Sequence, residues 1–240
     1  MEAGVLARQR RFQRLQAFDH DVDPTAWEQG RLAGVDEAGV GPLAGPVVAA
    51  AVILPASFDL PELYDSKQMT AAARRRCESA IRAGAIAFAL ARVSPRCIDR
   101  LNILNAMLRA QARALAALSV QPWTVLVDGN REPRLPAGWS TRLRTLVRGD
   151  STSLAVAAAS VLAKCARDRA MRRLDQRYPG YGFAQHKGYA TEAHVQALRQ
   201  LGLSPVHRRG FCGFLAAEAL QARQGTFPWA EAPSRRGHPV

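Results

Sequence analysis

The stretch Pro46 to Leu54, PVVAAAVIL, is apolar without interruption and is closed by Pro55. It is far shorter than the roughly 20 apolar residues that a membrane-spanning helix needs. It also lacks the polar alternation of a strand with one wet face. What remains is a strand covered on both faces, as in a sheet flanked by helices.

The neighbouring segments agree. Arg31 to Asp36, Ala85 to Val93, Trp123 to Val127 and Arg142 to Val147 read as further strands. Met69 to Ala83 reads as a helix, with Arg74, Arg75 and Arg76 on its solvated face. Ser94-Pro95 opens a helix expected to run to about Leu118, with proline at its first position. Ser153 to Arg177 and Thr191 to Leu201 complete the helices, the last stopped by Gly202. Strands interleaved with helices predict an α/β sheet with helices packed on it. In LAVAAASVLAKCA (154–166) the alanines recur at helical spacing, which permits close approach to that sheet. Residues 1–30 read as a basic N-terminal extension, either a short helix or a mobile arm. Residues 31–220 read as the main folded unit. Residues 221–240, with three prolines and no apolar period, read as a disordered tail.

Charge narrows the partners. Against 33 Lys and Arg stand 20 Asp and Glu, a formal net charge of +13. Such a field favours a polyanion, either nucleic acid or an acidic membrane surface. No run is long enough to span a bilayer, and the N-terminal MEAGVLARQRRFQRLQ lacks the apolar stretch of a signal peptide. The cysteines at 77, 97, 165 and 212 form no CxxC pair, so reduced thiols in a soluble cytoplasmic protein are expected.

Four acids stand at strand ends. Asp36 and Glu37 leave a strand and enter the turn Gly39-Val40-Gly41. Asp128 ends a strand before Gly129, and Asp150 lies between a strand and a helix. Strand ends converge across an open sheet although they are distant in sequence. Clustered carboxylates repel one another unless a cation neutralises them, and hard oxygen donors suit Mg²⁺ or Mn²⁺. Two such ions serve phosphoryl transfer. Taken singly, Asp150 serves as well as a helix cap, and Asp128-Gly129 as a turn pair. The adjacent acids Asp36-Glu37 have no evident folding role.

The segment VDEAGVGPLAGPVVAAAVILP (35–55) resembles the opening motif of the prokaryotic ribonuclease HII family. YDSKQM (64–69), VLVDGN (125–130), RGDSTSLAVAAASVLAKCARDR (148–169), YPGYGFAQHKGY (178–189) and PVHRRGF (205–211) resemble later family segments, in the family's order. The resemblance spans roughly residues 31–214. It implies an RNase H-like fold: a five-stranded mixed sheet flanked by helices, with a helical C-terminal portion. It implies a metal-dependent endonuclease that cuts the RNA strand of RNA–DNA hybrids and incises 5′ to single ribonucleotides in duplex DNA, leaving 5′-phosphates. It makes Asp36, Glu37, Asp128 and Asp150 the metal ligands, for Mn²⁺ or Mg²⁺, and Tyr189 the ring that stacks on the sugar at the scissile junction. In the family the glycine-rich turn carries a basic residue between its glycines and reads the 2′-hydroxyl through its backbone. Here that residue is Val40, which supplies no cation, so weaker binding or an altered junction preference is expected. Lys67, Lys164, His186 and Lys187 lie beside the acids in the family order; Lys67 and Lys187 are expected at phosphates. Arg208 and Arg209 suit either the duplex or the protein surface. A monomer is expected. The rival reading is a non-catalytic hybrid-binding module on the same fold.

Overall fold

In a computed structural model, which describes residues 2–64, 66 and 68–214, the apolar run becomes a strand buried at every position. This is β2 (Val47–Ile53), flanked by β1 (Leu32–Ala38) and β3 (Ala87–Val93); β4 (Thr124–Asp128) and β5 (Arg142–Leu146) follow. The sheet order is β3-β2-β1-β4-β5. β2 is antiparallel to both β1 and β3, whereas β1–β4 and β4–β5 are parallel. The expected five-stranded mixed sheet is therefore present.

Helices cover both faces. They are α1 (Glu2–Val22), α2 (Pro24–Glu28), α3 (Ala71–Gly84), α4 (Pro95–Leu101), α5 (Ile103–Ala116), α6 (Leu154–Arg177), α7 (Phe183–His186) and α8 (Glu192–Leu201). Strand alternation sorts the core into two layers. Leu32, Ala50, Val52 and Leu126 meet the alanine-rich face of α6. Ala33, Val35, Ala49, Ala51, Val125 and Val127 meet Ala106, Ala110 and Ala114 of α5. The approach of α6 to β1 is so close that a Cβ on Gly34 would fall onto the backbone of Ala155. Any larger residue there would push the helix off the sheet.

One expectation needs correction. The helix opened by Ser94-Pro95 does not run on to Leu118. It stops at Asn102, where φ is 65°, and the Asn102 side chain then accepts the Asn105 amide to start α5. Asparagine tolerates this left-handed backbone and is a strong N-cap, so one residue ends one helix and begins the next. Of the two readings of the N-terminal segment, the structure shows a helix and not a mobile arm. Phe12 and Leu15 of α1 and Trp27 of α2 are buried in the same cluster as α6. Asp19, fully buried, accepts the Ala155 amide at 2.8 Å in the first turn of α6.

A third cluster unites Leu43, Ala44 and Met171 with Tyr181, Phe183, Ala197 and Leu198. It seats α7 and α8 against the segment after the glycine-rich turn, through an antiparallel bridge between Ala44 and His207. The tail expected to be disordered, 221–240, lies outside the described residues. All four cysteines are free thiols. Among the described residues no helix is long and apolar enough to cross a membrane.

Candidate active site

Period-two alternation at the end of β1 sends its adjacent acids to opposite faces of the sheet. Asp36 lies on the α6 side, where the Ser160 hydroxyl reaches it, and is nearly fully buried. Glu37 lies on the α5 side, where Gln111 Nε2 donates to its Oε2 at 2.7 Å. The parallel pairing of β1 with β4 sets Val35 level with Val127, so Asp36 and Asp128 follow side by side. Asp128 Oδ1 accepts the Gly149 amide at 2.7 Å, and this tie holds the single 3₁₀ turn Gly149–Ser151 that carries Asp150.

Burial pushes the Asp36 carboxyl well above the usual carboxylate range, and the charges of Glu37 and Asp128 push it further. The Ser160 hydroxyl and the Glu37 amide pull the other way and do not prevail. Ser160 is itself paired with Ser66 at 2.7 Å.

A cavity of about 250 Å³ opens over these groups. Its walls include Asp36, Glu37 and Asp128, the turn Gly39-Val40-Gly41, Lys164 and Tyr189. Asp150 is buried and is not among those walls. It is not the cap of α6 either, since Ser153 accepts the Val156 amide there. Among the described residues no three Asp, Glu, His or Cys side chains already enclose a common point. Even so, the donor set suits a hard cation. Three carboxylates face one cavity, and besides its burial the charges of Glu37 and Asp128 raise the Asp36 carboxyl, a repulsion that a divalent ion would relieve.

The turn after the acids is built from behind by two arginines that the sequence did not single out for this task. Gly39 adopts φ 98°, and a Cβ there would stand 2.8 Å from the Pro46 carbonyl oxygen and collide with Arg167. Arg208, fully buried, donates to the carbonyl oxygens of Gly39 at 2.6 Å, Val40 at 2.8 Å and Gly45 at 2.9 Å. Arg208 is thus neither a surface residue nor a duplex contact. Arg167, also fully buried, donates to Pro46, Ala44 and Lys187 carbonyls. Burial and the neighbouring Arg167 charge push Arg208 down to about 9. Buried arginines in a turn support leave no periodic signature, so the sequence marked Arg208 only for the duplex or the surface and did not mark Arg167.

The remaining candidates divide. Tyr189 is half-exposed on the cavity wall, and the Arg167 guanidinium lies 5.8 Å from its ring centre. Lys164 lines the cavity and donates to Asp168 at 2.8 Å. Lys187 turns its ammonium back onto the Ala184 carbonyl, so it does not face the acids. Lys67 lies outside the described residues. His186 is structural: its Nε2 bonds the Tyr181 carbonyl at 2.6 Å and its Nδ1 accepts the Gly188 amide. Arg74 is no solvated side chain. It donates to the Ser66 and Met69 carbonyls and approaches Asp168.

Comparison with known proteins gives a consistent result. The model of a family described as Ribonuclease HII matches residues 33–214. The ribonuclease HII of Thiobacillus denitrificans is 53% identical over 180 residues, which cover 75% of this chain and 86% of the relative. That of Myxococcus xanthus is 46% identical over 241 residues, covering 96% of this chain and 79% of the relative. Among solved structures, ribonuclease H2 from Pyrococcus horikoshii superposes with a TM-score of 0.65 at 25% identity, over 82% of this chain and 99% of that one.

Proposed function

This chain belongs to the ribonuclease HII family, a family of metal-dependent endonucleases, and we propose that Asp36, Glu37, Asp128 and Asp150 are its metal ligands. On this reading it cuts the RNA strand of RNA–DNA hybrids and incises 5′ to single ribonucleotides embedded in duplex DNA. The observation that carries the reading is the shared cavity, where three of the acids, the glycine-rich turn and Tyr189 face one another. Bound Mg²⁺ or Mn²⁺ supplies charge neutralisation at the phosphodiester and a water acidic enough to attack it.

The protein's own groups do the rest. Glu37 is oriented by Gln111 and Asp128 by the Gly149 amide, so neither carboxylate rotates freely. The backbone of Gly39-Val40-Gly41, locked by Arg208, offers polar groups to the 2′-hydroxyl, the feature that distinguishes RNA from DNA. The Tyr189 ring packs on the sugar at the junction. The positive charge that Val40 does not present at the front of the turn stands behind it, in Arg167 and Arg208. We therefore expect Val40 to weaken binding or shift junction preference without abolishing cleavage.

The test compares DNA-only, RNA-only, hybrid and single-ribonucleotide duplexes side by side, with Mg²⁺ or Mn²⁺. The reading requires cleavage of the hybrid and of the single-ribonucleotide duplex, and none of pure DNA. Binding of the hybrid without cleavage under either metal would replace it with the non-catalytic module.

A further inference from the structure

Behind Tyr189 lies a histidine chain whose hydrogen bonds run in one direction only. The Ser204 amide donates to His207 Nδ1 at 2.9 Å. An amide has no lone pair to offer, so this nitrogen of His207 is the acceptor and its proton sits on Nε2. His207 Nε2 then donates to His194 Nε2 at 3.0 Å. The His194 proton is thereby assigned to Nδ1, which donates to the Tyr189 carbonyl at 2.8 Å. Both rings are neutral in this arrangement, and both are almost wholly buried. Their tautomers follow from their partners alone.

The chain is clamped sideways as well. His186 stacks on His194 at 4.3 Å between centroids, 18° from parallel. Phe183 meets His194 edge-on at 5.5 Å. The Tyr189 amide donates to the His186 carbonyl at 3.0 Å, and the Tyr189 carbonyl also accepts the Thr191 amide at 2.8 Å.

The segment so held cannot hold itself. Lys187 and Gly188, immediately before Tyr189, both adopt left-handed backbone with φ 54° and 81°. Two such residues in succession are not stabilised by regular secondary structure. Gly188 also presses against Ala44, where a Cβ would stand 2.6 Å from the carbonyl oxygen. The direction in which Tyr189 enters the cavity thus depends on what grips its backbone from behind. A buried chain of imidazoles in fixed tautomers is a stiff grip, and its far end is anchored in the 204–207 segment that bridges to Ala44.

We propose that His194, oriented by His207, is the positioning residue that sets the Tyr189 ring against the sugar of the substrate. The proposal rests on the reading of Tyr189 as the sugar-stacking residue.

The experiment is a double-mutant cycle on kcat/KM for a single-ribonucleotide duplex, using His194→Ala, Tyr189→Ala and the pair, with folded fraction measured by thermal melting. His194→Ala is expected to lose at least about fivefold in kcat/KM, and to lose almost nothing further once Tyr189 is Ala, since coupled neighbours are non-additive. His194→Asn places an amide N–H near the Nδ1 position and is expected to recover most of the loss. His194→Gln reaches toward His207 instead and is expected not to. If His194→Ala fails to fold, the Asn and Gln variants decide alone. Equal activity of the Asn and Gln variants overturns the proposal, as does an unchanged fold-loss for His194→Ala in the Tyr189→Ala background. If Tyr189→Ala by itself leaves kcat/KM unchanged, the sugar-stacking reading has failed, and this inference fails with it.

Discussion

The Arg208 guanidinium donates to the Gly39 carbonyl oxygen at 2.6 Å, from a side chain that solvent does not reach. The same group spans Val40 and Gly45, so one planar fork fixes both ends of the turn that follows the acids. A lysine carries its donors at one point and cannot span three carbonyls. Each carbonyl left dry costs roughly 1–3 kcal/mol. Arg208→Lys is therefore expected to lower the melting temperature and to reduce kcat/KM at least about tenfold, despite the kept charge. Full activity in Arg208→Lys would show that the turn needs no such clamp.

Asp36 carries opposing demands. Its carboxyl titrates well above the ordinary range because burial, Glu37 and Asp128 all disfavour the charge. A carboxyl raised in the folded state favours folding at low pH and loses that contribution as pH rises through its folded value. Asp36→Asn removes the charge while keeping the shape. In metal-free buffer near neutral pH it is expected to raise the melting temperature by a few degrees, roughly the effect of about 1 kcal/mol. With Mg²⁺ or Mn²⁺ present it is expected to abolish cleavage, as is Asp128→Asn. A melting temperature that falls in the metal-free Asp36→Asn protein would contradict the assigned repulsion.

Val40 lines the cavity while its carbonyl is held from behind by Arg208. The backbone conformation of the turn therefore does not depend on the Val40 side chain. Val40→Arg is expected to tighten binding of a single-ribonucleotide duplex by about 1 kcal/mol or more, through one added ion pair with a phosphate, without disturbing the fold. Binding titrations and initial rates on matched duplexes test this. Unchanged affinity together with an unchanged rate would mean that phosphate lies out of reach of position 40.

Much of this architecture was legible in the residues themselves. The apolar run 46–54 announced β2, and Asp36, Glu37 and Asp128 were marked by their places at strand ends. The break at Asn102 was not, because a helix-compatible sequence on both sides hides a single left-handed residue. Nor was the clamp of Arg167 and Arg208, since an arginine in a sequence reads as surface charge or as a duplex contact and only tertiary packing reveals a buried clamp. The orientation of Lys187 was hidden for a related reason. Its neighbourhood to the acids in sequence order did not foretell an ammonium folded back on its own loop.

The packing of α1 changes how its charge is to be tested. Removing residues 1–28 would strip Phe12, Leu15, Asp19 and Trp27 from the core, so a loss of binding would report unfolding. Arg8, Arg10 and Arg14 lie exposed on the same helix. Replacing these with Ala spares the core. If they meet the duplex, the slope of log affinity against log salt is expected to become shallower by about 0.9 for each phosphate that the variant no longer neutralises. An unchanged slope would remove α1 from the binding surface.

Asp19 offers a stability test away from the cavity. Burial pushes its carboxyl up to about 7, although the Ala155 amide and Ser153 favour the charged form. The sign follows directly: stability is greatest below the unfolded value near 3.8 and is lost as pH rises through about 7. The tie to the first turn of α6 needs only an oxygen that accepts the Ala155 amide. Asp19→Asn supplies that oxygen without a titrating group. Thermal melts between about pH 5 and pH 8 should therefore show a decline in the parent protein, and that decline should flatten in Asp19→Asn. If both proteins decline in parallel, another group governs that pH window. If Asp19→Asn is strongly destabilised at every pH, the first turn of α6 requires the charged carboxylate beside the Ser153 cap.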